Sequence, residues 1–379
     1  MSDSTGFDEK HTERRRRTRS SIYHFLRSSP PCSKQQIAQE LNLSLPTVYQ
    51  NLTELHEAGL VDYAGAQPSS GGRPAMQISV VADARVSVGI SITEHRLRFI
   101  LTDLKLNELG FKDVHHAKSL TDGDYSRFLA GELELFLDEN KVDRAKLLGV
   151  GVTIAALVSH DAKTIVFAPT LNLYNVPFER LLRHIPYPTH PDNDGTSGGF
   201  AEWYTSPSPR NIAFLSIEDG VGGAVLVNGT QYIGNNNRSG EFGHMCVQPG
   251  GLRCACGRRG CLEAYCTATR LSNQLGMTLR EFFEKLEAGD EECRRLFDDY
   301  ILHLAIGVHN IRLALDCDVV IGGFMADFLE PYLPEIRKKL IELDQFDTDG
   351  SYLHLSWCPK HAALLGAAFY YVKDFLDSV

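Results

Sequence analysis

Between Thr18 and Val80, apolar residues recur in three short helical stripes separated by caps and turns. Ile22, Phe25 and Leu26 share one face of a first helix, which stops before Ser29-Pro30-Pro31 because a proline disfavours helical geometry in the residue preceding it. Ser33-Lys34-Gln35-Gln36 has the form of a capping box and opens a second helix with Ile37, Ala38 and Leu41 inward. After Asn42-Leu43, Ser44 caps a third helix that tolerates Pro46 in its first turn. Val48, Leu52 and Leu55 fall at i, i+4 and i+7 and face inward, leaving Thr47, Tyr49, Gln50 and Asn51 outward. Strands at Gly59–Tyr63 and Ala75–Val80 then flank a Gly-rich tip, residues 69–74, that carries Arg73.

From Arg85 the pattern changes to alternating strands and helices. Strands are predicted at Val86–Ile92, Leu97–Thr102, Leu147–Thr153, Ile212–Ile217, Ala224–Val227, Val319–Gly322 and Leu353–Trp357. Helices are predicted at Tyr125–Leu137, Glu291–Leu315, Phe328–Leu343 and His361–Asp377. This α/β region of about 295 residues exceeds one comfortable core, so two lobes with a cleft are expected.

Composition narrows the class. With 43% hydrophobic and 23% charged residues, the chain is an ordinary globular protein. It has no run of eighteen apolar residues and no apolar signal-peptide core, so a cytoplasmic protein with no membrane partner is expected. Residues 1–80 hold nine Lys/Arg against eight Asp/Glu, and the remainder holds 29 against 40. The acidic body repels nucleic acid, so any such contact falls to the N-terminal part. Residues 1–17 lack apolar periodicity and are expected to form a disordered basic arm, with Arg14, Arg15, Arg16 and Arg17 either solvated or on phosphates.

The polar set on the third helix points to chemistry of that kind. Two helices joined by a short turn, the second presenting polar residues at its start, form a helix-turn-helix followed by a wing. Gln50 and Asn51 carry amides suited to adenine edges, and Thr47 suits a thymine methyl or a phosphate. Thr47, Tyr49, Gln50, Asn51, Arg73 and the four arginines are therefore the candidate contacts to a double-stranded DNA operator.

A second chemistry lies at Cys254-Ala-Cys256-Gly-Arg-Arg-Gly-Cys261-Leu-Glu263, preceded by Gly240-Glu241-Phe-Gly243-His244. Three thiols and an imidazole on one short loop make a complete tetrahedral set, which suits one structural zinc ion per chain with His244, Cys254, Cys256 and Cys261 as ligands. Nine cysteines, an odd count with four or five of them packed into this loop, fit metal binding in a reducing compartment better than disulfides. Glu241 and Glu263 flank these ligands, and ionised carboxylates suit a ligand rich in hydroxyl donors, such as a sugar. Asn193-Asp194 can present an amide and a carboxylate to such a ligand. Gly220-Val221-Gly222-Gly223 reads either as a phosphate-cradling loop or, more commonly, as a hairpin turn, and Ile321-Gly322-Gly323 is similarly open.

With the metal loop, Asn193-Asp194, the Gly loops and the winged helix-turn-helix in this order, the chain resembles the ROK family of repressors, open reading frames and sugar kinases. The match is residue for residue over Gly240 to Glu263, in the patterns E-x-G-H and C-x-C-G-x-x-G-C-x-E, and the chain is similar to the sugar repressors of xylose or N-acetylglucosamine type. The resemblance implies an actin-like two-lobed sugar-kinase fold, with Asn193, Asp194, Glu241, His244 and Glu263 on sugar hydroxyls and Asp194 in the place of the kinase base. It divides the chain into an arm at 1–17, a winged helix at 18–82 and a sugar-binding domain at 83–379. Lobe one would span about 83–190 plus the C-terminal helix, and lobe two about 191–360.

The departures from the family pattern set the expected function. ROK kinases hold ATP phosphates with an Asp-x-Gly-Gly-Thr loop on the first strand; here Gly89-Ile90-Ser91-Ile92-Thr93-Glu94 has no such carboxylate and no glycine pair. Backbone N–H groups cannot close on phosphates there, and Glu94 repels them. The family's Pro-Gly pair is replaced by Ile154-Ala155-Ala156, and its sugar-side Asn-x-Gly-Trp-like segment by Thr170-Leu171-Asn172-Leu173. The expectation is a sugar-responsive transcriptional repressor without kinase activity. It would be a homodimer or homotetramer answering a sugar or sugar phosphate, with a protein partner or retained kinase activity as the alternatives.

Overall fold

The computed structural model describes residues 4–66, 76–159, 161–168, 171–207, 210–358 and 361–379. It begins with α1 (Ser4–Ser28), α2 (Lys34–Glu40) and α3 (Leu45–Glu57), followed by the antiparallel pair β1 (Val61–Ala66) and β2 (Met76–Val80). Both expected caps form. Ser33 and Gln36 make the reciprocal capping box of α2, and the Ser44 side chain accepts from the Thr47 N–H with Pro46 in the first turn of α3. The basic arm, however, is helical. Arg14–Arg17 lie inside α1, which runs unbroken to Ser28 because no proline or glycine interrupts it after Gly6.

Lobe one follows with β3 (Val86–Ile92), β4 (Arg96–Asp103), β5 (Glu108–His115), α4 (Tyr125–Glu139), β6 (Leu147–Ile154), β7 (Leu157–Val158), β8 (Thr164–Ala168), β9 (Leu173–Pro177), α5 (Glu179–Leu182) and β10 (Thr189–Asn193). Its main sheet has the order β10-β6-β3-β4-β5, with β3, β6 and β10 parallel, and a small antiparallel sheet β7-β8-β9 lies beside it. Lobe one thus reaches Asn193 rather than residue 190, since Asn193 pairs with Ile154 on the edge strand.

A connecting helix, α6 (Asp194–Thr205), leads to lobe two: β11 (Ile212–Ile217), β12 (Val221–Val227), β13 (Thr230–Gln231), α7 (Glu263–Cys266), α8 (Ala268–Leu275), α9 (Leu279–Glu287), α10 (Glu291–Leu315), β14 (Asp318–Gly322), α11 (Met325–Leu329), α12 (Leu333–Leu343) and β15 (Leu353–Leu355). Its sheet runs β13-β12-β11-β14-β15. The helix expected over Phe328–Leu343 is split by a turn at Glu330–Tyr332, where Pro331 and Pro334 remove two helix donors.

The last helix, α13 (Ala362–Ser378), returns to lobe one and packs on α6, β3 and β6. The approach is close. A β-carbon on Gly366 would overlap the Ser197 carbonyl of α6, and one on Gly151 would overlap the Ala367 carbonyl, so only glycine fits at these crossings. The other side of α13 completes the core of the N-terminal unit. Phe369, Val372, Leu376 and Val379 are buried with Ile22, Tyr23 and Leu26 of α1 and with Val48, Leu52 and Leu55 of α3. Residue 82 is therefore a boundary in sequence and not in packing.

Candidate metal centre, ligand cleft and nucleic-acid interface

The metal loop folds as the spacing requires. Cys246 and Cys261 pair as antiparallel neighbours, as do Arg253 and Arg259, and together the two bridges form a compact knuckle. Gly257 and Gly260 turn it with φ of 88° and 82°, a region that side chains with a β-carbon rarely enter. Ligand atoms of His244, Cys254, Cys256 and Cys261 all lie within 4.8 Å of one another. Cys254 Sγ is 3.8 Å from His244 Nδ1, and Cys256 Sγ is 3.8 Å from Cys261 Sγ. A tetrahedron with zinc–sulfur bonds of about 2.3 Å has an edge of about 3.8 Å, so the donor set fits zinc in number, type and spacing. From behind, the Tyr265 hydroxyl accepts the Leu252 N–H at 2.8 Å, and its ring stacks on His303 of α10 with centroids 3.9 Å apart. Neither brace is visible in the metal spacing.

The carboxylates flank this knuckle as expected, with one difference. Glu263, at the start of α7, accepts the Val221 N–H at 3.2 Å and lies 3.5 Å from the Cys254 sulfur. It joins the metal loop to the β11–β12 turn. Glu241 opens to solvent, while the surrounding walls and the charges of Asp194 and Glu263 raise its carboxyl above the ordinary value against the pull of His244. Burial also raises Asp194, which accepts from the Gly195 N–H at 2.8 Å. Asn193 faces two tasks already: its Oδ1 caps α6 at the Thr196 N–H, and its Nδ2 holds the Ala156 carbonyl at 2.8 Å. It shapes the cleft rather than offering a free amide.

A cavity of about 60 Å³ opens beside Asn193 and Glu241, lined also by Ala156, Asp192, Thr196, Gln231 and Asn237. Asn237 was not foreseen. Its Nδ2 donates to the Val158 carbonyl at 3.2 Å, and its buried Oδ1 meets no hydrogen-bond partner among the described residues. Asp192 lines this cavity and a second one on the far side of α6, and burial pushes its carboxyl up to about 7. Glu202, fully buried in α6, accepts from the Ser356 hydroxyl and the Trp357 and Cys358 N–H groups, fixing the approach to α13.

The loops with phosphate-site character resolve plainly. The Thr93 N–H donates to the Arg96 carbonyl at 3.0 Å, which closes a tight β3–β4 turn with Glu94 and His95 exposed. Gly222 and Gly223 belong to β12, and the Glu218 N–H donates to the Gly220 carbonyl at 2.9 Å, so the hairpin reading holds there.

On the N-terminal unit, Tyr49 and Gln50 are exposed on α3, and the Lys34 ammonium stands 4.3 Å from the Tyr49 ring centroid. Thr47 is half-buried, its hydroxyl 2.8 Å from that of Ser44. Asn51 corrects the sequence reading. It is buried with Val48, Leu52 and Leu55, and its Nδ2 donates to the Thr47 carbonyl at 2.8 Å, so it faces the core rather than a base edge. Arg14–Arg17 are exposed; Arg15 pairs with Glu54 of α3, and Arg16 donates to the Asp377 carbonyl of α13 at 3.4 Å. Arg73 lies outside the described residues.

Comparison with known proteins agrees with this architecture. The model of the ROK family matches residues 87–374, three quarters of the chain. The chain belongs to the ROK family. A helix-turn-helix domain model matches residues 16–64. Among curated relatives, the xylose repressor of Bacillus spizizenii (strain ATCC 23059 / NRRL B-14472 / W23) is 26% identical over 359 residues, spanning 92% of this chain and 93% of the relative. Among solved structures, a ROK family transcriptional regulator described as a homolog of the E. coli MLC protein superposes with a TM-score of 0.76 at 20% identity, covering 96% and 97% of the two chains. The ROK hexokinase from Thermus thermophilus gives 0.61 at 24% identity and covers 76% of this ROK chain and 99% of its own. The kinase likeness thus covers about three quarters of the chain, whereas the regulator likeness covers nearly all of it. No helix among the described residues is long and apolar enough to cross a membrane.

Proposed function

We propose that this ROK protein is a sugar-responsive DNA-binding repressor of carbohydrate genes, acting in the cytoplasm as a homodimer or homotetramer. The observation that carries the reading is the shared core of α13. One face of that helix packs on α6, whose N-terminus is capped by Asn193 in the cleft, and the other face is buried with α1 and α3. Occupancy of the cleft is thereby tied to the placement of the reading head, within the limit set by the ligand's differential affinity for the two states. The whole-length likeness to a xylose repressor supports the same assignment.

In this reading Asp194, Glu241, Glu263 and the unpaired Asn237 Oδ1 accept hydroxyl protons of a sugar or sugar phosphate, and His244, Cys254, Cys256 and Cys261 hold one structural zinc ion. Zinc, when bound, supplies a rigid charge-compensated frame and no reacting group, because four protein ligands close its coordination. Tyr49 and Gln50 read the major groove, with Arg14, Arg17, Lys34 and Arg73 near phosphates.

Phosphoryl transfer is the second reading, favoured by the kinase-like fold and by the buried Asp194. Against it stand Ser91 in place of a carboxylate and the tight turn at Thr93–Arg96. ATP consumption measured with a panel of hexoses, pentoses and amino sugars separates the two. Turnover at enzymatic rates would overturn the repressor-only assignment.

A further inference from the structure

One thiol of the metal loop has no task in the site described. Cys246 is exposed and sits directly across from the zinc ligand Cys261 in the antiparallel bridge. The hydrogen bonds give the kind of pair: the Val247 N–H donates to the Gly260 carbonyl at 2.8 Å, and the Leu262 N–H donates to the Met245 carbonyl at 2.8 Å. Both bonds flank the pair rather than join it, so Cys246 and Cys261 form a non-hydrogen-bonded pair. Such pairs hold their Cα atoms about 4.5 Å apart with side chains on one face. That separation is within the range of about 4.4–6.8 Å that a disulfide spans. The Cys246 sulfur leans toward the opposite strand, 3.4 Å from where a β-carbon on Gly260 would sit.

We propose that Cys246 and Cys261 form an oxidative modification site, at which a peroxide converts the zinc knuckle into a cross-strand disulfide and disarms the effector cleft. The accessible Cys246 sulfur attacks hydrogen peroxide, forming an S–O bond as the O–O bond breaks and giving up its proton. Sulfenic acid and hydroxide result, and the hydroxide leaves as water once protonated. The Cys261 sulfur then attacks the sulfenic sulfur and the S–O bond breaks. The S–S bond forms, the second oxygen leaves as water after protonation, and two thiols have been oxidised for one peroxide reduced. Only His244, Cys254 and Cys256 would then remain to hold a metal ion. Glu263, two residues beyond Cys261, loses the frame that holds it against the Val221 N–H.

This inference rests on the zinc reading of the same four residues, and the test separates the two. Full-length zinc-loaded protein is treated with a small molar excess of hydrogen peroxide, zinc release is followed with a chromogenic chelator, and non-reduced digests are mapped by mass spectrometry. The expected result is a Cys246–Cys261 linkage formed together with zinc release, both reversed by thiol reductant plus zinc. In C246S, release should slow severalfold while the zinc content of the untreated protein is unchanged. Release at the wild-type rate in C246S, or a linkage confined to Cys254, Cys256 and Cys261, would overturn the proposal. Untreated protein that binds no zinc would overturn the metal reading, while the digest map still decides the pairing.

Discussion

Glu263 accepts the Val221 N–H at 3.2 Å, so the carboxylate that follows the third cysteine of the metal loop is pinned to the first residue of β12. The metal knuckle, the hairpin turn and the cleft wall are in this way one unit. Replacing Glu263 with Gln keeps the shape and removes the charge. Loss of a charge-assisted hydrogen bond costs about 1.5–3 kcal/mol, so effector affinity should fall by one to two orders of magnitude with zinc content unchanged. Titration calorimetry together with metal analysis checks this; a variant that binds effector normally would remove Glu263 from the site.

C254S addresses the metal directly. Because outer-shell losses alone weaken metal sites by about 10–100-fold, losing a ligand should reduce zinc affinity by at least that much. Cys254 is also buried beside Glu263, so effector response should disappear before the second lobe unfolds. Zinc content, effector binding and thermal unfolding of the variant are the readouts. Retained zinc with unchanged response would show that the knuckle stands without metal.

The reading head separates two adjacent amides. Gln50→Ala should cost roughly 1–3 kcal/mol on the preferred operator and relax base preference there. Asn51→Ala should leave preference intact and instead lower stability by about 1 kcal/mol, because its side chain bonds the Thr47 carbonyl inside the core. Binding to randomised DNA and chemical denaturation of both variants test the distinction, which reverses if Asn51 reads bases.

Asp192 gives a pH signature. Its native carboxyl is raised from an ordinary 3.8 to about 7, so between those values the folded protein keeps a proton that the unfolded chain has released. Its contribution therefore favours folding below about pH 4, declines as pH rises toward 7 and is constant above. D192N should flatten the fall in melting temperature across that window and stabilise the protein above it. An identical pH profile for wild type and variant would place the Asp192 carboxylate in water.

Much of this was legible in the sequence because local chemistry and tertiary packing agree. Ser33, Gln36, Ser44 and Pro46 mark helix starts that the fold keeps, and the spacing of His244 and the three cysteines brings together four residues that could hold a metal ion. The strands Val86–Ile92 and Ile212–Ile217 are buried runs whose ends the apolar pattern gives directly. What was hidden depended on partners distant in sequence. Residues 194–199, with three glycines and no apolar stripe, carry no helical signal, yet they form the first turns of α6. Its glycines are required by close contact, since a β-carbon on Gly199 would press on Ala224. Asn51 was misassigned because its neighbours at i−3 and i+1 set the buried stripe one position wider than the leucines alone suggest. The basic arm was taken as disordered from charge, whereas Glu54 and the Asp377 carbonyl receive its arginines within the folded unit. Asn237 gave no signal beyond a run of three asparagines.

The most direct test of the whole account follows DNA binding by the full-length protein during titration with unphosphorylated and phosphorylated sugars, with ATP present and its consumption recorded in the same samples. The operator is first selected from random DNA. The expected result is that one sugar changes operator affinity by about tenfold or more, a coupling free energy of about 1.4 kcal/mol, with no ATP consumed. Sugar phosphorylation at enzymatic rates with operator affinity indifferent to every sugar would contradict it.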